Sequence, residues 1–229
     1  MFDQAKIEEI IDVKFGQADL IKQAFIHRSY LNEHTKLGLE HNERLEFLGD
    51  AVLELVVTDY LYRNHPNPEG ELTSWRSALV KTESLAELAE KLELGQFLLM
   101  SRGEAKSGGR SRQALLANMI EAIIGAIYID QGYDAAAKFI QEHIISKLPQ
   151  ILKSQSYIDP KSKFQEVAQE REGVTPHYEV LDESGPDHDK IFTVGVYLAK
   201  KELGRGEGSS KQSAQQAAAA AALQKYQAG

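Results

Sequence analysis

Over residues 1–150 the apolar positions recur every three or four places, the spacing of helices that each bury one side. Ile7, Ile10 and Ile11, followed by Leu20, Ala24 and Phe25, mark helical segments within residues 1–36. Leu45, Leu48 and Val52 predict a helix that starts near His41 and runs through Leu61. Asn64 to Gly70, rich in Pro, Asn and Gly, reads as a turn. Thr73 to Leu92 then reads as one helix, with Ala78, Leu79, Leu85, Leu88 and Ala89 on its buried face. The pattern breaks in Ser101 to Arg112, a Gly- and Ser-containing segment with Arg102, Lys106, Arg110 and Arg112, and resumes from Ala117 to Asp130. Lys147 to Asp159, with Pro149, a polar run and Asp159-Pro160, reads as a helix end and a linker.

Beyond residue 160 the period changes. Lys161 to Glu172 is a short amphipathic helix with Phe164, Val167 and Ala168 inward. Pro176 to Glu183, Lys190 to Ala199 and Glu202 to Gly208 read as strands, the middle one alternating Phe192, Val194, Val196 and Leu198 on one face. Ser184-Gly185-Pro186-Asp187 is a turn, and an Ala-rich helix ends near Tyr226. The pattern therefore predicts an all-α domain over residues 1–150, a linker over 151–159 and a small α+β domain of order α-β-β-β-α over 160–229.

Polar residues on two of the helices carry candidate chemistry. At roughly 100° per residue, Glu46 lies about 60° and Asp50 about 20° from Glu43, so these carboxylates share a face opposite Leu45, Leu48 and Val52. A solvated face is the plain explanation of such a stripe. Solvated faces, however, usually mix Lys with Glu, and here the acids recur with no cation on their side and repel one another. Hard oxygen donors in that position suit Mg²⁺ or Mn²⁺. Phe47 sits beside the acids, away from the leucines, so it is either exposed or buried by a partner.

On the helix from Ala117, the residues Asn118, Ala122, Gly125 and Ile129 line one narrow stripe with Glu121 beside it. Small residues on a stripe let another helix approach closely. Packing of this stripe against the first helix would bring Glu46, Asp50, Asn118 and Glu121 around one cation. The basic segment before it is either a surface loop or a loop that grips phosphate next to the acids. The run Gly204-x-Gly206-x-Gly208-Ser-Ser-Lys211 leaves backbone amides at a helix start, where an anion is favoured and Ser209 or Ser210 can act as cap. It lacks the Gly-Lys-Ser/Thr spacing of a nucleotide loop.

Asn42-Glu-Arg-Leu-Glu-Phe-Leu-Gly-Asp-Ala-Val-Leu53 resembles the signature of the ribonuclease III family. His27-Arg28-Ser29-Tyr30 resembles a second motif of that family, mostly architectural there, and Ala117-Asn118-Met119-Ile120-Glu121-Ala122 resembles its other active-site helix. In that helix Asn118 stands where the family has Asp, so the position keeps an oxygen donor but loses a charge. Residues 160–229 resemble a double-stranded RNA-binding domain through Gln165-Glu166, Gly185-Pro186-x-His188 and Ser210-Lys211. The usual lysine cluster is reduced to Lys211, with Gln212 and Gln215 nearby.

The resemblance implies an all-α endonuclease domain followed by the α+β RNA-binding domain. It implies a Mg²⁺-dependent endoribonuclease, with Mn²⁺ as a substitute, that cuts double-stranded RNA such as ribosomal RNA precursors. Glu46, Asp50, Asn118 and Glu121 would hold metal, Asp50 and Glu121 as catalytic residues, and Glu43 would support them at the rim. Lys106, Arg110 and Arg112 would meet RNA beside the acids. Ser162, Gln165 and Glu166 would meet one minor groove, Pro186 and His188 the next, and Lys211 the phosphates, with Ser210 and Gln212 also in contact with RNA. Phe47 would anchor a homodimer.

Charge and composition change this picture in two places. The net charge of −8 gives no general basic surface, so binding to RNA is expected to be local, modest and sensitive to salt. The absence of cysteine excludes thiolate chemistry and suits a reducing compartment, and no basic leader or long apolar run is evident, which points to the cytoplasm and away from a membrane. Two alternatives remain open at this stage. One is a dimer that holds duplex RNA and cuts it weakly or not at all because of Asn118, and the other is a metal-dependent hydrolase of another phosphate ester.

Overall fold

The computed structural model describes residues 2–35, 38–155, 157–186 and 190–227. The chain forms two compact units, Met1–Tyr157 and Ile158–Gly229.

The first unit is built from α1 (Gln4–Ile11), α2 (Ala18–Ala24), α3 (Arg28–Glu33), α4 (Glu43–Asn64), α5 (Glu69–Val80), α6 (Thr82–Lys91), α7 (Arg102–Lys106), α8 (Gln113–Gln131), α9 (Tyr133–His143) and α10 (Leu148–Ser154). Helix α8 is apolar nearly all round, with Leu116, Met119, Ile120, Ile123, Ile124 and Ile127 buried, and such a helix belongs at the centre of a core. By length and composition α8 alone among the described residues would suffice to cross a membrane. Its apolar surface is instead covered by the helices around it.

The largest helix contact in this unit is that of α8 with α4, whose Leu45, Val52, Leu53, Val56, Val57 and Leu61 face the same core. The loop ends are tied by backbone and carboxylate bonds. The Asp130 carboxylate accepts the Gly16 and Gln17 amides at 2.9 Å each, which fixes the start of α2 to the end of α8.

The single helix expected over Thr73 to Leu92 is two, α5 and α6, separated by an extended Lys81 (φ −60°, ψ 151°). The five residues expected on its buried face are buried all the same, because the break redirects the second half toward the same core. Apolar spacing alone does not mark a break of one residue. The linker expected over 151–159 is also shorter, since α10 continues through Ser154, with Pro149 in its first turn where the missing N–H is harmless. Tyr157 then packs edge-on to Trp75, with ring centroids 6.1 Å apart.

The second unit contains α11 (Pro160–Glu172), β1 (His177–Ser184), β2 (Ile191–Leu198), β3 (Lys201–Gly208) and α12 (Lys211–Gln227). The strands form an antiparallel sheet in the order β1-β2-β3. Val194, Val196 and Leu198 of β2 meet Phe164 and Ala168 of α11 and Ala214, Ala218 and Ala222 of α12 in one core, the alternation read from the sequence.

Gly204, Gly206 and Gly208, which the sequence places both in a strand and before a helix start that favours an anion, lie within β3. A Cβ on Gly206 would stand 2.2 Å from the Ala218 nitrogen, and one on Gly204 would stand 2.6 Å from the Ala218 carbonyl oxygen. These glycines let the strand lie directly against the Ala-rich helix, so their amides serve the fold. Ser210 does cap α12. Its Oγ accepts the Ser213 amide at 3.1 Å, and Ser213 Oγ accepts the Ser210 amide at 3.0 Å, a reciprocal capping pair.

Candidate functional site

The acidic edge of α4 is fixed at its start by Asn42, a buried polar residue. Its side-chain amide donates to the Ala24 carbonyl at 3.3 Å, and its backbone N–H donates to the Ile26 carbonyl at 2.9 Å. One turn on, the Asn42 carbonyl accepts the Glu46 amide. Gly49 comes next. A Cβ there would lie 1.8 Å from the Glu121 carbonyl oxygen, and a Cβ on Gly125 would lie 2.2 Å from that of Leu45. The backbones of α4 and α8 therefore touch at this crossing. Glu46 and Asp50 flank it on one helix, and Glu121 and Asn118 approach it on the other.

The electrostatics record that proximity. The Glu121 carboxyl is pushed up to about 7, first by burial and then by the negative charges of Asp50 and Glu46. Glu46 is raised as well, by burial, then Glu43, and also Asp50, while a hydrogen bond with Asn118 works in the opposite direction. Like charges brought together out of bulk water favour a proton or a cation between them. Among the described residues no three carboxylate or imidazole groups are already placed to coordinate one ion. The crossing brings the acidic edges of the two helices together.

Cations bracket this edge without reaching its middle. Arg28 Nη1 and His41 Nδ1 each stand 3.8 Å from an oxygen of Glu43, which is half exposed at the rim. The stripe also extends one turn further than expected, to Glu54, where Arg76 Nε makes a 3.0 Å ion pair and Arg76 Nη1 donates to Thr58 Oγ1 at 3.0 Å. The expectation that the acidic face has no cation thus fails at both ends. Among the described residues Glu46 and Asp50 make no ion pair.

A cleft of about 520 Å³ opens beside Glu46 and Asn118, walled also by His27, Arg28, Glu43 and Arg112. His27 itself is architectural. Its Nδ1 accepts the Ser29 amide to cap α3, and Ser29 Oγ accepts the Ser101 amide at 3.0 Å.

The basic segment is ordered rather than a flexible loop, with α7 and a short 3-10 turn at Gly109–Ser111. Arg110 Nη1 donates to the Gly95 and Gln96 carbonyls and so faces its own backbone. Arg112 lines the cleft but stands 2.6 Å from Glu104 in an ion pair, while Lys106 is exposed at the end of α7. Phe47 is 80 % exposed, and Leu55 and Tyr62, on the same side of α4, are exposed too.

In the second unit Ser162, Gln165 and Glu166 lie exposed on α11, and Glu166 pairs with Lys163 at 3.1 Å. Pro186 lies beyond β1, and His188 lies outside the described residues. Lys211 and Gln212 are exposed at the start of α12, but Lys211 Nζ stands 2.9 Å from Glu183 Oε1. Gln215 accepts Lys161 at 2.7 Å, a fold contact. Sequence reasoning missed Gly49, Asn42, Arg76 and Glu183. A glycine inside a helical pattern is a signal of close packing that was available for Gly49. The other three act through tertiary partners that no local pattern names.

Comparison with known proteins gives two matches that divide the chain as the fold does. Residues 17–148 match the family model described as Ribonuclease-III-like, and residues 160–226 match the double-stranded RNA binding motif. A protein named Ribonuclease 3 from Oceanobacillus iheyensis is 46% identical over 96% of this chain and 97% of its own length. One of the same name from Carboxydothermus hydrogenoformans is 47% identical over 95% and 93%. Among solved structures, the nuclease domain of ribonuclease III from Campylobacter jejuni is 39% identical, with a TM-score of 0.59, and covers 66% of this chain and 99% of that domain.

Proposed function

The chain belongs to the ribonuclease III family, and from that premise we propose that it is an endoribonuclease that hydrolyses phosphodiester bonds of double-stranded RNA as a Mg²⁺-dependent homodimer. The observation that carries this reading is the Gly49–Gly125 crossing, which gathers Glu46, Asp50, Glu121 and Asn118. The donor set fits a hard divalent cation. It offers only oxygens, and its mutual repulsion is relieved by a positive charge. Glu46, Asp50 and Glu121 would hold the ion, with the Asn118 amide oxygen assisting. Bound there, Mg²⁺ or in its place Mn²⁺ would supply a water activated for attack and charge stabilisation at the leaving oxygen.

The remaining roles belong to the protein. Asn42 and the two glycines hold the acidic edges in place, and Glu43, tied to Arg28 and His41, closes the rim. Arg112, which lines the cleft, and the exposed Lys106 would meet phosphates, whereas Arg110, turned to the Gly95 and Gln96 carbonyls, supports the segment that carries them. Ser162, Gln165, Glu166, Pro186, His188, Ser210, Lys211 and Gln212 would meet the duplex in the second domain, which reads shape and phosphates. The exposed Phe47, Leu55 and Tyr62 would be covered by the same patch of a second copy, as a two-fold interface requires. The Campylobacter jejuni domain is itself described by a region involved in dimer formation. By family, the substrates include ribosomal RNA precursors and the place of action is the cytoplasm.

Asn118 favours one competing reading, a dimer that holds duplex RNA and cuts it poorly. Incubation of labelled duplex and single-stranded RNA with Mg²⁺, Mn²⁺ or chelator separates the two. Metal-dependent cutting of duplex alone, lost in Glu121→Ala and improved at low Mg²⁺ in Asn118→Asp, is the expected result. Retention of duplex without cutting would leave the binding protein.

A further inference from the structure

Glu183 is the penultimate residue of β1 and pairs in the sheet with Phe192 of β2. Its carboxylate is claimed from two sides. Lys211 Nζ lies 2.9 Å from Oε1, and Lys190 Nζ lies 3.9 Å from Oε2. The same Lys211 ammonium rests 5.5 Å from the centre of the Phe192 ring, so strand and carboxylate together fix where it stands. The Glu183 carboxyl is held below its ordinary range, by the hydrogen bond from Lys211 first and by the charges of Lys211 and Lys190 after it.

The two lysines border the surface proposed above for duplex RNA. Pro186 follows Glu183 by three residues, and Lys211 opens α12. At neighbouring positions of α12, Gln212 brings no charge and Gln215 is turned to Lys161, so Lys211 is the main cation at that helix start. A phosphate that approaches Lys211 must share it with Glu183 or displace it. In either case the carboxylate stays beside the phosphate as a like charge.

We infer that Glu183 limits the affinity of this domain for duplex RNA by competing with phosphate for Lys211. The inference rests on the reading of the second domain as a duplex-binding unit. Its sign distinguishes it from a structural role. If Glu183 merely oriented Lys211 for its phosphate, loss of the carboxylate would weaken binding. Competition predicts that the same change strengthens it. The pair is solvent-accessible on both sides, so it can open when RNA arrives.

The test measures binding of a labelled RNA duplex to the full-length protein, with chelator present so that the duplex stays intact, over a range of salt concentrations. Glu183→Gln is expected to tighten binding by about two- to fivefold, the range set by one exposed ion pair. The slope of log affinity against log salt is expected to steepen by up to about one unit, as one more phosphate contact is freed from an internal rival. In a Lys211→Gln background the same change is expected to give no gain. Glu179→Gln, which removes one charge elsewhere on β1, controls for net charge. Unchanged or weaker binding by a folded Glu183→Gln protein would overturn the inference, as would an equal gain from Glu179→Gln or a gain that survives Lys211→Gln. A wild-type protein that binds no duplex at any salt would remove the parent reading, and the inference with it.

Discussion

In the first unit, carboxylates are gathered at a helix crossing and the nearby cations stop short of them. In the second, carboxylates hold the cations. Arg28 and His41 approach Glu43 and Arg76 approaches Glu54, leaving Glu46, Asp50 and Glu121 to repel one another. On the second unit Glu183 holds Lys211 and Lys190, Glu202 holds Arg205, and Glu166 holds Lys163. One surface is short of positive charge and the other has its positive charge moderated. Under the proposed function, a chain of net charge −8 would meet a polyanion in two ways: through metal ions drawn to the acidic crossing, and through a few lysines exchanged from internal partners.

Both units also depend on glycines that bring backbones into contact, and substitution there is expected to have the largest effect. Gly125→Ala would place a methyl 2.2 Å from the Leu45 carbonyl oxygen, and Gly206→Ala would place one 2.2 Å from the Ala218 nitrogen. Each is expected to cost about 3 kcal/mol or more, since rigid backbone cannot yield as a side chain does. Scanning calorimetry of the two variants distinguishes the units. Gly125→Ala is expected to lower the unfolding transition of the first unit and abolish cleavage. Gly206→Ala is expected to lower that of the second and weaken duplex binding, with the acidic centre left intact.

A smaller effect is expected at Phe47. Loss of a central aromatic anchor typically weakens an interface by about 2 kcal/mol, roughly 30-fold in dissociation constant. Sedimentation at falling protein concentration is expected to show Phe47→Ala dissociating where the wild type remains paired. An unchanged dimer would remove Phe47 from the interface and leave the exposed Leu55 and Tyr62 without this explanation.

Much of this was legible in the sequence because it is periodic. The α4 acids, the small stripe of α8, and the alternation of Phe192, Val194, Val196 and Leu198 all follow from period and residue type. What escaped was tertiary. Lys81 breaks a helix without a turn signature, the 204–208 glycines face a helix that comes later in the chain, and Arg110 finds carbonyls fourteen and fifteen residues back. Arg76 and Glu183 pair with residues 22 and 28 positions away. Charge patterns along the chain show which faces are acidic, and only packing shows which acids are already paired.

Glu121, Asp50 and Glu46 repel one another at the crossing, and under the proposed function a divalent ion relieves that repulsion. Thermal unfolding of the first unit as a function of pH, in chelator and in Mg²⁺, tests it most directly. The Glu121 carboxyl is raised from 4.5 to about 7, so the folded state holds its proton more tightly than the unfolded chain does. The associated stability is complete below about 4.5 and is lost as pH rises through about 7. In chelator, the wild-type melting temperature is therefore expected to fall by a few degrees between those limits, and Glu121→Gln is expected to lack most of that fall. Mg²⁺ is expected to restore the loss at high pH in the wild type and to do little in Glu121→Gln. Parallel curves for the two proteins, with no response to Mg²⁺ in either, would show that these carboxylates neither repel one another nor bind the ion.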